Sequence, residues 1–278
     1  MHPVLVSLLY AFLNLGAVAL PVTADGGELP RVVSINLCTD QLAMMVAAPG
    51  QILSLSHLAV DPRASSMAKE ATAYPLNRGG AEQVFLSHPD LVLASIHTSQ
   101  ATVDLLRKLG MNVVQVPDVS AFDQIPESIR RVAGPMGRAK QGEALIARFE
   151  RDLAALTSDL PPRRAALYYP NGYSVGTGTL SNEVLSHAGF RNLAAEIGLS
   201  GGGNLPLENL VMAAPALVIT SPPYPGASRA EEILSHPALA ELQRDTRILD
   251  QNDADWLCGT PHVLRALARI KAAREAME

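Results

Sequence analysis

The sequence predicts an α/β protein of two similar lobes, each with a parallel central sheet, joined by one long α-helix. Three observations predict this fold class. Apolar strand-like runs alternate with helix-like segments, which is typical of parallel sheets covered by helices. One stretch of the first half recurs in the second half. A single long amphipathic segment lies between the two halves.

The recurring stretch comprises residues 81–95 and 207–221, which align without a gap at an offset of 126 positions. Each copy begins as a short helix-like segment, is interrupted by a proline and continues as an apolar strand. A match at one large offset predicts two similar halves. The alternative is chance, because helix–proline–strand is a common joint. Five identities support a true repeat: Glu82 with Glu208, Pro89 with Pro215, Leu91 with Leu217, Val92 with Val218, and Ser95 with Ser221.

The first half contains four strand-like segments separated by helix-like ones. The strands are expected at 31–36, 51–54, 91–95 and 112–116, and the order β-α-β-α-β-α-β indicates a parallel sheet. Thr39 is the expected N-cap of the first helix.

Residues 138–160 form the long segment between the halves, with leucines and a phenylalanine spaced three or four apart. As one helix it would extend about 34 Å, and Pro161 would end it. The predicted organisation is a signal peptide at 1–24, an N-terminal lobe at 25–135, a bridging helix at 136–162 and a C-terminal lobe at 163–278.

The second half opens with a strand at 165–169 and a turn-rich segment at 170–178, followed by a helix at 180–188. After the second repeat copy come a Pro/Gly loop at 222–229, two short helices and a strand at 247–249. The loop at 252–259 carries the only tryptophan, and Thr260 with Pro261 is expected to begin the last helix.

The first 24 residues are typical of an export signal. An apolar run is followed by Val22, Thr23 and Ala24, small residues that suit cleavage before Asp25. The alternative is a membrane anchor, for which a run of this length lies at the lower limit.

The net charge of −5 and the absence of a basic cluster argue against nucleic acid as a partner.

Only two cysteines occur, Cys38 and Cys258. An even count in an exported chain predicts a disulfide. The alternative is a pair of buried free thiols.

The ordered set of features resembles the substrate-binding proteins of ABC importers, in the class with a rigid helical backbone that serves vitamin B12, iron–siderophores and haem. Residues 32–41, Val-Val-Ser-Ile-Asn-Leu-Cys-Thr-Asp-Gln, and residues 88–92, His-Pro-Asp-Leu-Val, carry the resemblance, which covers about residues 30–275. It implies a periplasmic monomer that catalyses nothing and has no cofactor of its own. Such a protein captures a metal chelate or macrocycle and delivers it to a permease dimer.

The resemblance also implies roles for particular residues. In that family one glutamate on each lobe docks onto the permease, and Glu82 and Glu208 occupy those positions. The alternative is that each acid merely stabilises the positive end of its helix.

Ligand contacts are expected in the cleft between the lobes, at the carboxyl ends of the strands. The loops there carry the candidate ligand-binding residues His57, His97, Tyr173, Asn204 and Trp256. The two aromatic side chains suit stacking on a flat ligand, and the histidines suit hydrogen bonding or metal ligation.

Two other functions are considered. A divalent-metal receptor would need three or four convergent ligands, for which only His57, His97 and His262 are available. A serine hydrolase could use Ser174, because Gly172, Ser174 and Gly176 match the G-x-S-x-G pattern.

Overall fold

The computed structural model describes residues 28–222, 228–242, 244–251 and 253–278. The predicted signal peptide and part of the predicted loop at 222–229 therefore lie outside the described residues. Within the described ranges, no helix combines the length and the apolar character that crossing a bilayer requires.

The N-terminal lobe is built on a parallel sheet covered by helices. Its strands are β1 (Val32–Ser34), β2 (Ile52–Ser56), β3 (Leu76–Asn77), β4 (Leu91–Ser95) and β5 (Val113–Val116). Its helices are α1 (Leu37–Val46), α2 (Ala68–Ala71), α3 (Ala81–Leu86), α4 (Gln100–Lys108) and α5 (Ile125–Ala133). The strand order is β3-β2-β1-β4-β5, with every pair parallel. β4 is buried along its whole length, as expected for a strand covered on both faces.

One long helix, α6 (Ala139–Leu156), connects the lobes. It is shorter than the predicted span of 138–160, because Thr157 adopts an extended conformation and ends the helix. The N–H of Ser158 then donates to the carbonyl of His187, at 2.8 Å, instead of continuing the helical ladder. At 18 residues the helix is about 27 Å long.

The C-terminal lobe repeats the plan of the first with additions. Its strands are β6 (Arg163–Leu167), β7 (Tyr173–Val175), β8 (Phe190–Asn192), β9 (Gly202–Asn204), β10 (Leu217–Thr220) and β11 (Arg247–Asp250). Its helices are α7 (Leu180–His187), α8 (Leu193–Glu196), α9 (Leu207–Ala213), α10 (Pro237–Leu242) and α11 (Val263–Glu275). A parallel sheet has the order β11-β10-β6-β8, and β7 pairs with β9 in an antiparallel ribbon.

The sequence repeat is a structural repeat. In each copy a short helix, α3 or α9, leads into a strand that pairs with the first strand of its lobe: β4 with β1, and β10 with β6. His88 and Ala214, which align at the same offset, both have a left-handed backbone, with φ of 47° and 40°. Few non-glycine residues adopt this conformation. Its occurrence at two matched positions argues against a chance alignment.

Besides the end of α6, three local features differ from the sequence prediction. The N-cap of α1 is Asn36, not Thr39, because the Asn36 side chain accepts a hydrogen bond from the Cys38 N–H at 2.9 Å. α11 begins at Val263, later than Thr260 and Pro261 suggest. The segment at 170–178, predicted as turns, contains strand β7.

The two lobes share one hydrophobic core at their junction. A single cluster of buried side chains extends from the N-terminal lobe through α6 into the C-terminal lobe. Phe122 of the first lobe contacts Phe149 of α6, and its ring centroid lies 4.7 Å from that of His187 of the second lobe. Since opening this junction would expose apolar surface, we expect only small changes in the angle between the lobes.

Candidate ligand-binding site

A cavity of about 790 Å³ lies between the lobes. The first lobe lines it with the start of α1 and with the segments after β4 and β5. The second lobe contributes eight of the residues between 169 and 181, and the segment that includes Asp253, Trp256 and Gly259. Both lobes thus present the carboxyl ends of their strands to the cavity, which is where open α/β sheets bind ligands.

An imidazole–carboxylate pair stands at the edge of the cavity on the first lobe. Nε2 of His97 lies 2.5 Å from Oδ2 of Asp118, and the side chains are 70% and 58% exposed. His97 follows β4 and Asp118 follows β5, and these strands are neighbours in the sheet. Ser95 fixes the turn, because its Oγ accepts a hydrogen bond from the His97 N–H at 3.1 Å. Adjacent strand ends therefore bring the pair together.

A hydrogen-bonded aromatic cluster forms the opposite wall. Oδ1 of Asp253 accepts from Oη of Tyr169 at 3.2 Å and from Nε1 of Trp256 at 2.9 Å. Burial, reinforced by the nearby Asp253 carboxyl, raises the pKa of Tyr169 well above its ordinary value. Tyr169 therefore remains an uncharged donor at physiological pH.

The two predicted stacking residues differ in accessibility. Tyr173 is 48% exposed, and its ring centroid lies 6.4 Å from that of Tyr169. Trp256 lines the cavity but is only 5% exposed, because its ring packs into the shared core. Tyr173 is thus the aromatic side chain that offers an open face to a ligand.

Two other predicted contacts lie outside the cavity lining. His57 is exposed and begins a short 3-10 helix, and its neighbour Leu58 lines the cavity instead. Asn204 is opposite Tyr173 in the β7–β9 ribbon, and its Nδ2 donates to the carbonyl of Asn171 at 2.9 Å. Asn204 therefore supports the turn that carries Tyr173.

The predicted disulfide is present. Cys38 and Cys258 are bonded across the lobes, with their Cα atoms 5.1 Å apart. Cys38 lies in the first turn of α1 and lines the cavity, and Cys258 lies in the segment before α11. The bond therefore links the lobes beside the candidate site.

Ser174 is placed where it cannot act as a nucleophile. It is 0% exposed, and its Oγ donates to the carbonyl of Leu167 at 2.6 Å. The G-x-S-x-G pattern is accounted for by strand β7, in which the serine side chain points into the lobe.

In the described part of the chain, no group of three or more His, Cys, Asp or Glu residues is arranged to hold a metal ion. His262, the third histidine considered for such a site, is mostly buried, and burial lowers its pKa to about 4. His57 and His97 are not brought together with it at the cavity.

The sequence analysis missed Asp118, Tyr169 and Asp253 as residues of the site. Asp118 follows the proline that ends a predicted strand, and Asp253 precedes the only tryptophan by three positions. These positions are weak signals, because acidic residues are common in loops and only the fold shows that these two face one cavity.

Glu82 and Glu208 are both exposed and both lie in the first turn of their helices, α3 and α9. The two glutamates therefore occupy equivalent positions in the two lobes, as the sequence repeat predicts.

A family model described as a periplasmic binding protein matches residues 32–243. A cobalamin-binding protein of Halobacterium salinarum is 26% identical over 206 residues, which cover 72% of this chain and 55% of the relative. YvrC of Bacillus subtilis, an uncharacterised ABC transporter substrate-binding lipoprotein, is 26% identical over 152 residues, or 50% of this chain and 48% of the relative. The chain spans about half the length of these curated relatives.

Solved structures share the fold. The periplasmic heme-binding protein RhuT of Roseiflexus sp. RS-1 has a TM-score of 0.72 at 22% identity, covering 88% of this chain and 98% of its own. The vitamin B12-binding protein BtuF of Vibrio cholerae has a TM-score of 0.66 at 17% identity, covering 89% and 97%. The molybdate-binding protein MolA of Haemophilus influenzae has a TM-score of 0.65 at 17% identity, covering 90% and 88%.

Proposed function

This chain belongs to the periplasmic binding protein family, and from that premise we propose that it captures a metal chelate or macrocycle in the periplasm and delivers it to an ABC transporter. The candidate ligands are a cobalamin, an iron–siderophore and haem. The permease dimer of the transporter is the proposed protein partner, and the binding protein itself acts as a monomer.

The observation that carries this proposal is the cavity between the lobes. Its volume of about 790 Å³ is within the range of sites for sizeable organic ligands. Tyr173 presents an accessible ring at its edge, which suits stacking on a flat macrocycle. The names of the relatives, which include cobalamin-binding and heme-binding proteins, point in the same direction.

The alternatives have less support. A divalent-metal receptor needs convergent ligands, and no such group occurs among the described residues. Hydrolysis through Ser174 needs an accessible hydroxyl, and Ser174 is fully buried.

Delivery is supported by the positions of Glu82 and Glu208. Each lies on a helix that leads into the amino end of a parallel strand, so the first turn of each helix lies toward the carboxyl ends of the strands. The cavity opens at the same ends. One exposed acid on each lobe would then flank the cleft and meet one subunit of a two-fold symmetric permease.

Native mass spectrometry tests the capture step. The purified protein is mixed separately with cobalamin, a ferric siderophore, haem, zinc and manganese. We expect a one-to-one complex with one of the three chelates. A complex with a bare divalent metal and none of the chelates would favour the metal-receptor alternative.

A further inference from the structure

The charged side chains that line the described part of the cleft are acidic. Among the described residues that line it are two carboxylates, Asp118 and Asp253, and neither lysine nor arginine. Among the described lining residues His97 is the one histidine, and its Nε2 is paired with the Asp118 carboxylate. In the described part of the cleft, the two carboxylates therefore have one histidine and neither lysine nor arginine to offset them.

The remaining polar lining consists of uncharged hydrogen-bonding groups. They include the amide of Asn36 and the hydroxyls of Ser120, Thr179 and Ser181, whereas Thr39 and Ser95 are buried and hydrogen-bonded within the protein. Hydroxyls and amides can each donate and accept hydrogen bonds. Such a lining matches a ligand whose rim carries amides or hydroxyls.

An anionic ligand would meet unfavourable electrostatics here. Taking a carboxylate out of water costs free energy unless a cation or several donors compensate it. Placing it next to Asp118 or Asp253 adds a like-charge repulsion, which is how binding sites reject wrong partners. The described lining offers no lysine or arginine to offset either cost.

We propose that the cleft selects an uncharged or cationic macrocycle with amides or hydroxyls on its rim, as in a corrinoid amide, and rejects macrocycles that carry carboxylates. This inference rests on the proposed function. Asp118 is the specificity-determining residue, because it is exposed at the mouth of the cleft, where an incoming ligand carboxylate would first meet it.

A matched ligand pair tests the proposal. One member is a corrinoid whose side chains are all amides, and the other has the same ring with those side chains as free carboxylates. Both are titrated into the protein by calorimetry at low and moderate salt. We expect the amide form to bind at least about tenfold more tightly. The difference should shrink as salt rises, because salt screens the repulsion.

Substitutions of Asp118 test whether this residue causes the preference for the amide form. Asp118→Asn should reduce the preference for the amide form, and Asp118→Lys should reduce it further or reverse it. Asp123→Asn is the matched control, because Asp123 is also an exposed acid of the first lobe but does not line the cleft. It should leave the preference unchanged.

The outcomes distinguish failure of the charge selection from failure of macrocycle capture. Equal or tighter binding of the carboxylate form overturns the charge selection but leaves capture of a macrocycle intact. An unchanged preference in both Asp118 variants overturns the role of that residue. If neither form binds, and haem and ferric siderophores also fail to bind, the proposed function fails and the charge selection fails with it.

Discussion

Cys38 and Cys258 are 220 positions apart in sequence and are joined by a disulfide that crosses the cleft. Cys38 lies at the start of α1 in the first lobe, and Cys258 precedes α11 in the second. Together with α6, the bond gives the two lobes a second covalent connection. Ser66 adds a polar one, because its Oγ donates to the carbonyl of Ala254 at 2.8 Å.

Loss of this disulfide should lower stability substantially. Because it closes a loop of most of the folded chain, the chain-entropy estimate of its contribution is about 5 kcal/mol. Urea unfolding of the oxidised protein is compared with that of the Cys38→Ser and Cys258→Ser double variant. Unfolding midpoints that coincide, or two thiols that can be alkylated in the native oxidised protein, would contradict the bond.

Asp40 should make stability depend on pH. It is fully buried, with Oδ1 accepting from the Ser56 N–H at 3.1 Å and Oδ2 lying 2.5 Å from Ser56 Oγ. Burial raises its pKa from 3.8 to about 7, although hydrogen bonds from Ser34 and Ser56 act in the opposite direction. The folded protein therefore holds this proton more tightly than the unfolded chain does.

Because the folded-state pKa is the higher one, the contribution of Asp40 is fully present below about pH 4 and is lost as the pH rises through about 7. Between pH 5 and 8 the loss should be roughly 3 kcal/mol. Asp40→Asn mimics the protonated acid, so the free energy of unfolding of this variant should fall less over that range. If the free energy of unfolding changes with pH to the same extent in the native protein and in Asp40→Asn, the prediction is wrong.

Tyr173 should contribute to ligand affinity through its ring. Among the described residues that line the cleft, it is the exposed aromatic one, and an aromatic contact adds about 1 kcal/mol beyond the area it buries. Tyr173→Ala should weaken binding about tenfold or more, whereas Tyr173→Phe should keep most of the affinity. If the alanine variant has native affinity at unchanged thermal stability, the ligand does not stack there.

Glu82 and Glu208 should act in delivery and not in capture. The double variant Glu82→Ala and Glu208→Ala should bind ligand with native affinity, because neither residue lines the cavity. It should support much less uptake, or less stimulation of transporter ATPase, because exposed charges guide the encounter of two proteins. If the double variant loses ligand binding, the two acids line the cleft. If uptake is normal, they only stabilise the starts of their helices and take no part in delivery.

The repeat made much of the fold predictable, since helix, proline and buried strand leave clear local signals in both copies. The disulfide was predictable because only two cysteines occur. The β7–β9 ribbon was not, because Gly202 and Gly203 give β9 no apolar alternation. The end of α6 was also missed, since a tertiary hydrogen bond from Ser158 replaces the helical one.

The site was less predictable than the fold. The positions of Tyr173 and His97 at the cavity were predictable because both residues follow strand ends, which meet at one edge of a parallel sheet. Their contact with a ligand stays a prediction. The pairing of His97 with Asp118 depends on β4 and β5 being adjacent, which the sequence does not specify. The burial of Trp256 depends on packing between the lobes, so its sequence position alone suggested a more exposed ring than the structure shows.

Fluorescence of Trp256 tests the central claim most directly. It is the only tryptophan of the chain, and it lines the cleft, so its emission reports on that site alone. Cobalamins, ferric siderophores and haem absorb light strongly and should quench a nearby indole. The account predicts saturable, one-to-one quenching by one of these ligands, weakened by Tyr173→Ala. Absence of saturable quenching by all three would contradict the claim that this cleft captures a metal chelate or macrocycle.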